Sequence, residues 1–94
     1  NKSSIAKENI AAITQLSNSN IYLQIGAFKT KSNARKLQKQ IEEKDIDSVY
    51  MERVRTKIGI LYRVRIGPIK GINRYDEIVK LLISLSLDIT LVTN

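Results

Sequence analysis

Residues 21–28 read Ile-Tyr-Leu-Gln-Ile-Gly-Ala-Phe, an alternation of period two. Leu23, Ile25 and Ala27 fall on one side of such a segment, and Tyr22, Gln24, Gly26 and Phe28 on the other. With its β-branched and aromatic content, the stretch predicts a strand. The period then changes. Across residues 31–44 the apolar positions Ala34, Leu37 and Ile41 recur at three- and four-residue steps with Lys and Arg outside them. That is an amphipathic helix, for which Thr30 or Ser32 supplies the capping hydroxyl. Residues 49–55 and 60–66 return to period two, joined by a turn at 56–59. Gly67-Pro68 is expected to end the third strand, because proline has no N–H to give to a ladder. A second helix over 72–86 buries Tyr75, Ile78, Val79, Leu82 and Leu85, and residues 89–92 form a last strand.

Charge fixes the hairpin register. Pairing Glu52 with Arg63, Val54 with Leu61, Met51 with Val64 and Val49 with Ile66 gathers Val49, Met51, Tyr62, Val64 and Ile66 on one apolar face. Tyr50, Glu52, Arg63 and Arg65 share the other. A slip of one residue would carry Glu52 into the apolar layer, which is costly. The order β-α-β-β-α-β predicts an α+β, ferredoxin-like (RNP-like) βαββαβ sandwich. Its four-stranded antiparallel sheet has the order 4-1-3-2, with two helices on one face. The other face stays open, and there the pattern places Tyr22, Gln24, Gly26 and Phe28 beside Arg63 and Arg65. Phe28, at a strand end, has a second place open to it under the first helix.

Residues 1–20 are different in kind. Their apolar positions Ile5, Ala6, Ile10, Ile13 and Leu16 fit a short amphipathic helix capped by Ser3 or Ser4, and Ser17-Asn18-Ser19-Asn20 reads as a linker. The folded domain is therefore expected over 21–94, with 1–20 as linker or mobile helix. A chain starting at Asn1 reads as part of something longer, with any signal peptide or anchor upstream. Residues 78–87, the most apolar stretch, are broken by Lys80, Ser84 and Ser86 and are too short to span a bilayer.

Composition narrows the chemistry. The 94 residues suffice for one small domain. With no cysteine and no histidine, disulfides, thiolate metal sites, a cysteine nucleophile and a histidine general base are all excluded. No catalytic residue, cofactor or metal is expected. The 16 basic residues outnumber 9 acidic ones, a formal net charge of +7, which favours an anionic partner. Lys29, Lys31, Arg35, Lys36 and Lys39 form one run free of acids; Arg53, Arg55, Lys57, Arg63, Arg65, Lys70 and Arg74 form another.

Two stretches carry a resemblance. Residues 22–28 (YLQIGAF) with Asn33-Ala34 and Leu37, and residues 62–68 (YRVRIGP), resemble the SPOR (sporulation-related) domain over about 21–93. That resemblance implies a bacterial, non-catalytic module that binds peptidoglycan glycan strands stripped of their stem peptides. It further implies localisation in the cell envelope at the division septum. Such modules follow amidase, lytic transglycosylase or division-protein segments, and the linker looks most like that of rare lipoprotein A-type lytic transglycosylases.

Stripping frees a lactyl carboxylate on each muramic acid, and Arg63 and Arg65 offer planar forks for it. Gln24 suits acetamido groups, Tyr22 and Phe28 offer aromatic surface, and Gly26 leaves room for close approach. Lys29 and Thr30, in the loop before the first helix, become peripheral contacts. The expected partner is thus the glycan strand, with no nucleic acid, no membrane contact by this domain, and a monomeric state. Two alternatives stand beside it. One is RNA binding, since the RNA-recognition motif shares this topology, although its RNP1 pattern is missing here; the other is a protein-interaction module.

Every expected core position lies at or after Ile21. Deleting residues 1–20 should therefore leave a cooperative thermal unfolding transition, and its disappearance would place part of the core in that segment.

Overall fold

In the computed structural model, residues 21–46 and 48–92 are described; the expected N-terminal helix and linker lie outside them. The elements run β1 (Ile21–Phe28), α1 (Lys31–Glu42), β2 (Val49–Thr56), β3 (Gly59–Ile69), α2 (Ile72–Ser84) and β4 (Thr90–Val92). The sheet order is β2-β3-β1-β4, all neighbours antiparallel, which is the expected ferredoxin-like arrangement.

Local chemistry explains the boundaries. The Thr30 hydroxyl accepts from the Asn33 N–H at 3.3 Å and caps α1. The helix stops two residues short of the expected Lys44, and Asp45 just beyond takes a left-handed conformation (φ 59°). α2 ends at Ser84 rather than Ser86 for a similar reason. Ser86 has φ 59°, its N–H donates to Ile83 O, and the Leu87 N–H reaches back to Leu82 O at 3.2 Å. That is a Schellman closure with serine where glycine is commonest.

β3 does not stop at Gly67-Pro68 but continues to Ile69. The β1–β3 ladder shifts register between Ile21↔Ile69 and Leu23↔Ile66, so β3 carries one surplus residue there. Proline inside such an irregularity leaves no ladder bond unmade. The Gly67 N–H still donates, to Ser48 O at 2.8 Å.

The core lies between the sheet and the helices. Leu23, Val64 and Ile66 from the central strands are fully buried against Ala34 and Ile41 of α1 and Leu82 of α2, with Ile78 beside them. Gln38 Nε2 donates to Val49 O at 3.4 Å and ties α1 to β2. Burial of the Tyr75 ring pushes its hydroxyl pKa up, and the neighbouring Asp76 carboxylate adds to the effect. The β2–β3 register is the expected one throughout, with Glu52 opposite Arg63 and Val49 opposite Ile66.

The first strand breaks its own alternation. Between Gln24↔Arg65 and Gly26↔Val64 the register shifts again, this time with the surplus residue, Ile25, in β1. Ile25 is buried, and the next residue faces the helices as well. Gly26 and Phe28 therefore point toward the core side, and Ala27 is the residue exposed on the open face. This reverses the expected faces of Gly26 and Ala27 and puts Phe28 in the second place open to it, under the first helix.

An added Cβ at Gly26 would stand 2.8 Å from both Leu37 Cδ2 and Phe28 Cε2. Gly26→Ala should therefore cost about 1–3 kcal/mol of stability through overpacking, read from a denaturant midpoint. Unchanged stability would mean that the Phe28 ring moves aside freely.

Candidate functional site

On the open face, Arg65 stands between Gln24 of β1 and Tyr50 of β2, directly opposite each. Its Nε and Nη2 both donate to Gln24 Oε1 at 3.3 Å, and its Nη1 pairs with Glu52 Oε1 at 3.3 Å. The Arg65 side chain is only 16% exposed, against 45% for Glu52. The guanidinium is thus already engaged on two sides. With Oε1 held, the two N–H donors of the Gln24 amide have no hydrogen-bond partner among the described residues.

Glu52 pairs diagonally with Arg65 and not with Arg63, its direct neighbour on β3. Diagonal positions lie within reach of long side chains, and Arg65 gains there a carboxylate and an amide together. Arg63 is left with no ion pair or hydrogen bond among the described residues. Ala27, opposite it on β1, is too small to cover it.

A wall of two tyrosines closes one end. The Tyr22 ring lies over Gly67, where any Cβ would overlap it. It meets Tyr50 edge to face, with centroids 6.4 Å apart and planes at 87°, a favourable aromatic geometry. Gly67, at φ 151°, occupies a backbone region that side-chain-bearing residues rarely adopt.

The structure thus brings four of the expected residues together on one surface: Tyr22, Gln24, Arg63 and Arg65. Gly26 and Phe28 are turned from that surface by the Ile25 bulge. They line instead a notch along the β1 edge, shared with Gln24 and the chain before β4. Lys29 and Thr30 are exposed past the end of β1, and the Thr30 oxygen is occupied as the α1 cap. Tyr50 and Glu52 were not among the expected contacts, yet Tyr50 completes the aromatic wall and Glu52 holds Arg65. The hairpin register had already set both on this face; only their part in the site was missed.

The surface offers one guanidinium unpaired among the described residues, two amide donors and two phenol rings, which suits a neutral or anionic polar chain with apolar faces. Among the described residues, no cluster of acids or other ligands could hold a metal ion.

Comparison with known proteins agrees with this fold. The sequence pattern of the SPOR domain matches residues 17–84. The crystal structure of the RlpA SPOR domain from Pseudomonas aeruginosa superposes with a TM-score of 0.72 at 28% identity, over 79% of this chain and 99% of that one. No curated protein matches the sequence. With the family pattern spanning most of the chain and the fold shared over 79% of it, the chain belongs to the SPOR domain family, whose members are non-catalytic peptidoglycan-binding modules.

Proposed function

We propose that this domain binds peptidoglycan glycan strands from which the stem peptides have been removed, and so carries its parent protein to the division septum. The observation that supports this reading is Arg63, a cation without an ion pair or hydrogen bond among the described residues, beside a pre-positioned amide and a tyrosine wall. On an intact strand the lactyl group is tied up in the amide bond to the peptide. Removing the peptide exposes a carboxylate, for which a free guanidinium is the matching planar donor. The bulk of the peptide is lost in the same step, and the strand can then lie on a shallow sheet face.

Arg65 has a different part. It holds Gln24 Oε1 and neutralises Glu52, so that the Gln24 N–H donors meet acetamido carbonyls or hydroxyls. The Tyr22 and Tyr50 rings take the apolar face of a sugar. The parent we infer is an envelope protein of the rare lipoprotein A type, a lytic transglycosylase, with this domain as its wall-binding part.

Sacculi pull-down tests the reading. Retention on amidase-treated sacculi should exceed retention on untreated sacculi. Arg63→Ala should weaken it by about 1–3 kcal/mol with little change in stability, since a charge-assisted hydrogen bond is lost and no protein partner is orphaned. Equal retention on both walls, unaffected by Arg63→Ala, would defeat the reading.

Arg65→Ala should weaken binding and stability together, because it releases Gln24 and leaves Glu52 unpaired. A thermal midpoint measured beside the pull-down separates these two arginines. If Arg63→Ala lowers the midpoint as much as Arg65→Ala does, the division of labour between them is wrong.

A further inference from the structure

β4 is only three residues long and pairs with residues 22–24 alone. From Ile25 to Phe28 that edge of β1 has no strand beside it among the described residues. No backbone hydrogen bond reaches it from residues 86–88, among the described residues. The turn at Ser86 carries the chain outward instead and leaves a notch of about 400 Å³. One wall is the uncovered edge of β1; Ser86, Asp88 and Thr90 stand on the other, and Gln24 belongs to both the notch and the open face.

A bare strand edge presents backbone N–H and C=O groups in need of partners. An added peptide strand would fit poorly, because it would run into Thr90 after about four residues, below the usual strand length. An acetamido group is a single secondary amide, and one or two residues of edge satisfy both its N–H and its C=O.

The side chains choose among sugars. The Asp88 carboxylate repels a lactyl carboxylate but accepts hydrogen bonds from hydroxyls, while the Ser86 and Thr90 hydroxyls donate or accept. Phe28, at the far end, gives an apolar surface for a ring face. We propose that this notch is a second subsite, which takes a neutral N-acetylated hexose unit through its acetamido group. Anionic units are thereby left to Arg63 on the open face. The inference rests on the glycan reading above and extends it: opposite charges at Asp88 and Arg63 would set the register of an alternating polymer.

The test is an amide-resonance titration of the ¹⁵N-labelled 94-residue chain with two neutral tetrasaccharides. Chitotetraose carries an acetamido group on every unit; cellotetraose has hydroxyls in their place. Chitotetraose should shift the resonances of residues 25–28 and 86–88, and cellotetraose should not. Asp88→Trp, at an exposed position, fills the notch and should weaken retention on amidase-treated sacculi at least about fivefold, roughly the effect of one lost hydrogen bond.

Chitotetraose shifts confined to the open face would overturn the subsite. So would equal shifts with cellotetraose, or wild-type retention of Asp88→Trp. If stripped sacculi are retained in an Arg63-dependent way while the notch resonances stay still, only this inference fails. If stripped sacculi are not retained at all, the glycan reading fails and the subsite with it.

Discussion

β1 and β3 are the two inner strands, and everything in the molecule is referred to their pairing. Between Gln24 and Gly26 that pairing must absorb one residue too many, and Ile25 is the residue absorbed. Because side chains alternate with period two, a single extra residue exchanges the faces of all that follow it. Before the bulge, Leu23 is packed in the core and Gln24 is on the surface. After it, Gly26 and Phe28 pack beneath α1 while Ala27 looks out. The core gains the Phe28 ring, for which the lack of a side chain at Gly26 makes room beside Leu37. The surface gains a small residue next to Arg63. One local irregularity thus serves packing and accessibility together.

The two arginines of β3 sit two residues apart on the same face, and their environments divide their work. Arg65 is largely buried and held on two sides, a strut across three strands that fixes the orientation of an amide. Arg63 keeps its donors. A sequence-level view treats them as equivalent ligands for carboxylate. The structure makes Arg65 a support and leaves Arg63 without an ion pair or hydrogen bond among the described residues, and the difference comes from Glu52 choosing the diagonal neighbour over the direct one.

Much of this was legible in the residues. The change from period two to three-and-four steps located both helices and four strands, and the position of Glu52 fixed the hairpin register at every pair. Four of six expected surface residues share the open face. Where the reading failed, it failed at backbone irregularities. A strict alternation through residues 21–28 contains no mark of the Ile25 bulge, since Gly26 and Phe28 suit either face. Pro68 has the sequence mark of a terminator although, at a register shift, its missing N–H has nothing to disturb. Ser86 gave no warning of a left-handed conformation, and the short β4 that follows leaves the β1 edge bare. Glycine would have been a signal at that position; serine is not.

The β2–β3 hairpin reaches past the helical layer, for the side chains beyond Met51 and Tyr62 no longer join the core. Thr56 braces the turn: its Oγ1 donates to Gly59 O at 2.7 Å and accepts from the Ile58 N–H at 3.2 Å. Arg53, Arg55 and Lys57 are exposed along this projection, with no acid between Glu52 and Asp76. Charges held this far from the body act before any contact is made. Their field extends on the order of 10 Å at moderate ionic strength, and it favours approaches of a polyanion that lead toward the sheet face. On the proposed glycan reading, a braced, cation-bearing arm bears on the rate of encounter, whereas the Gln24 amide and the two tyrosine rings bear on how long an encounter lasts.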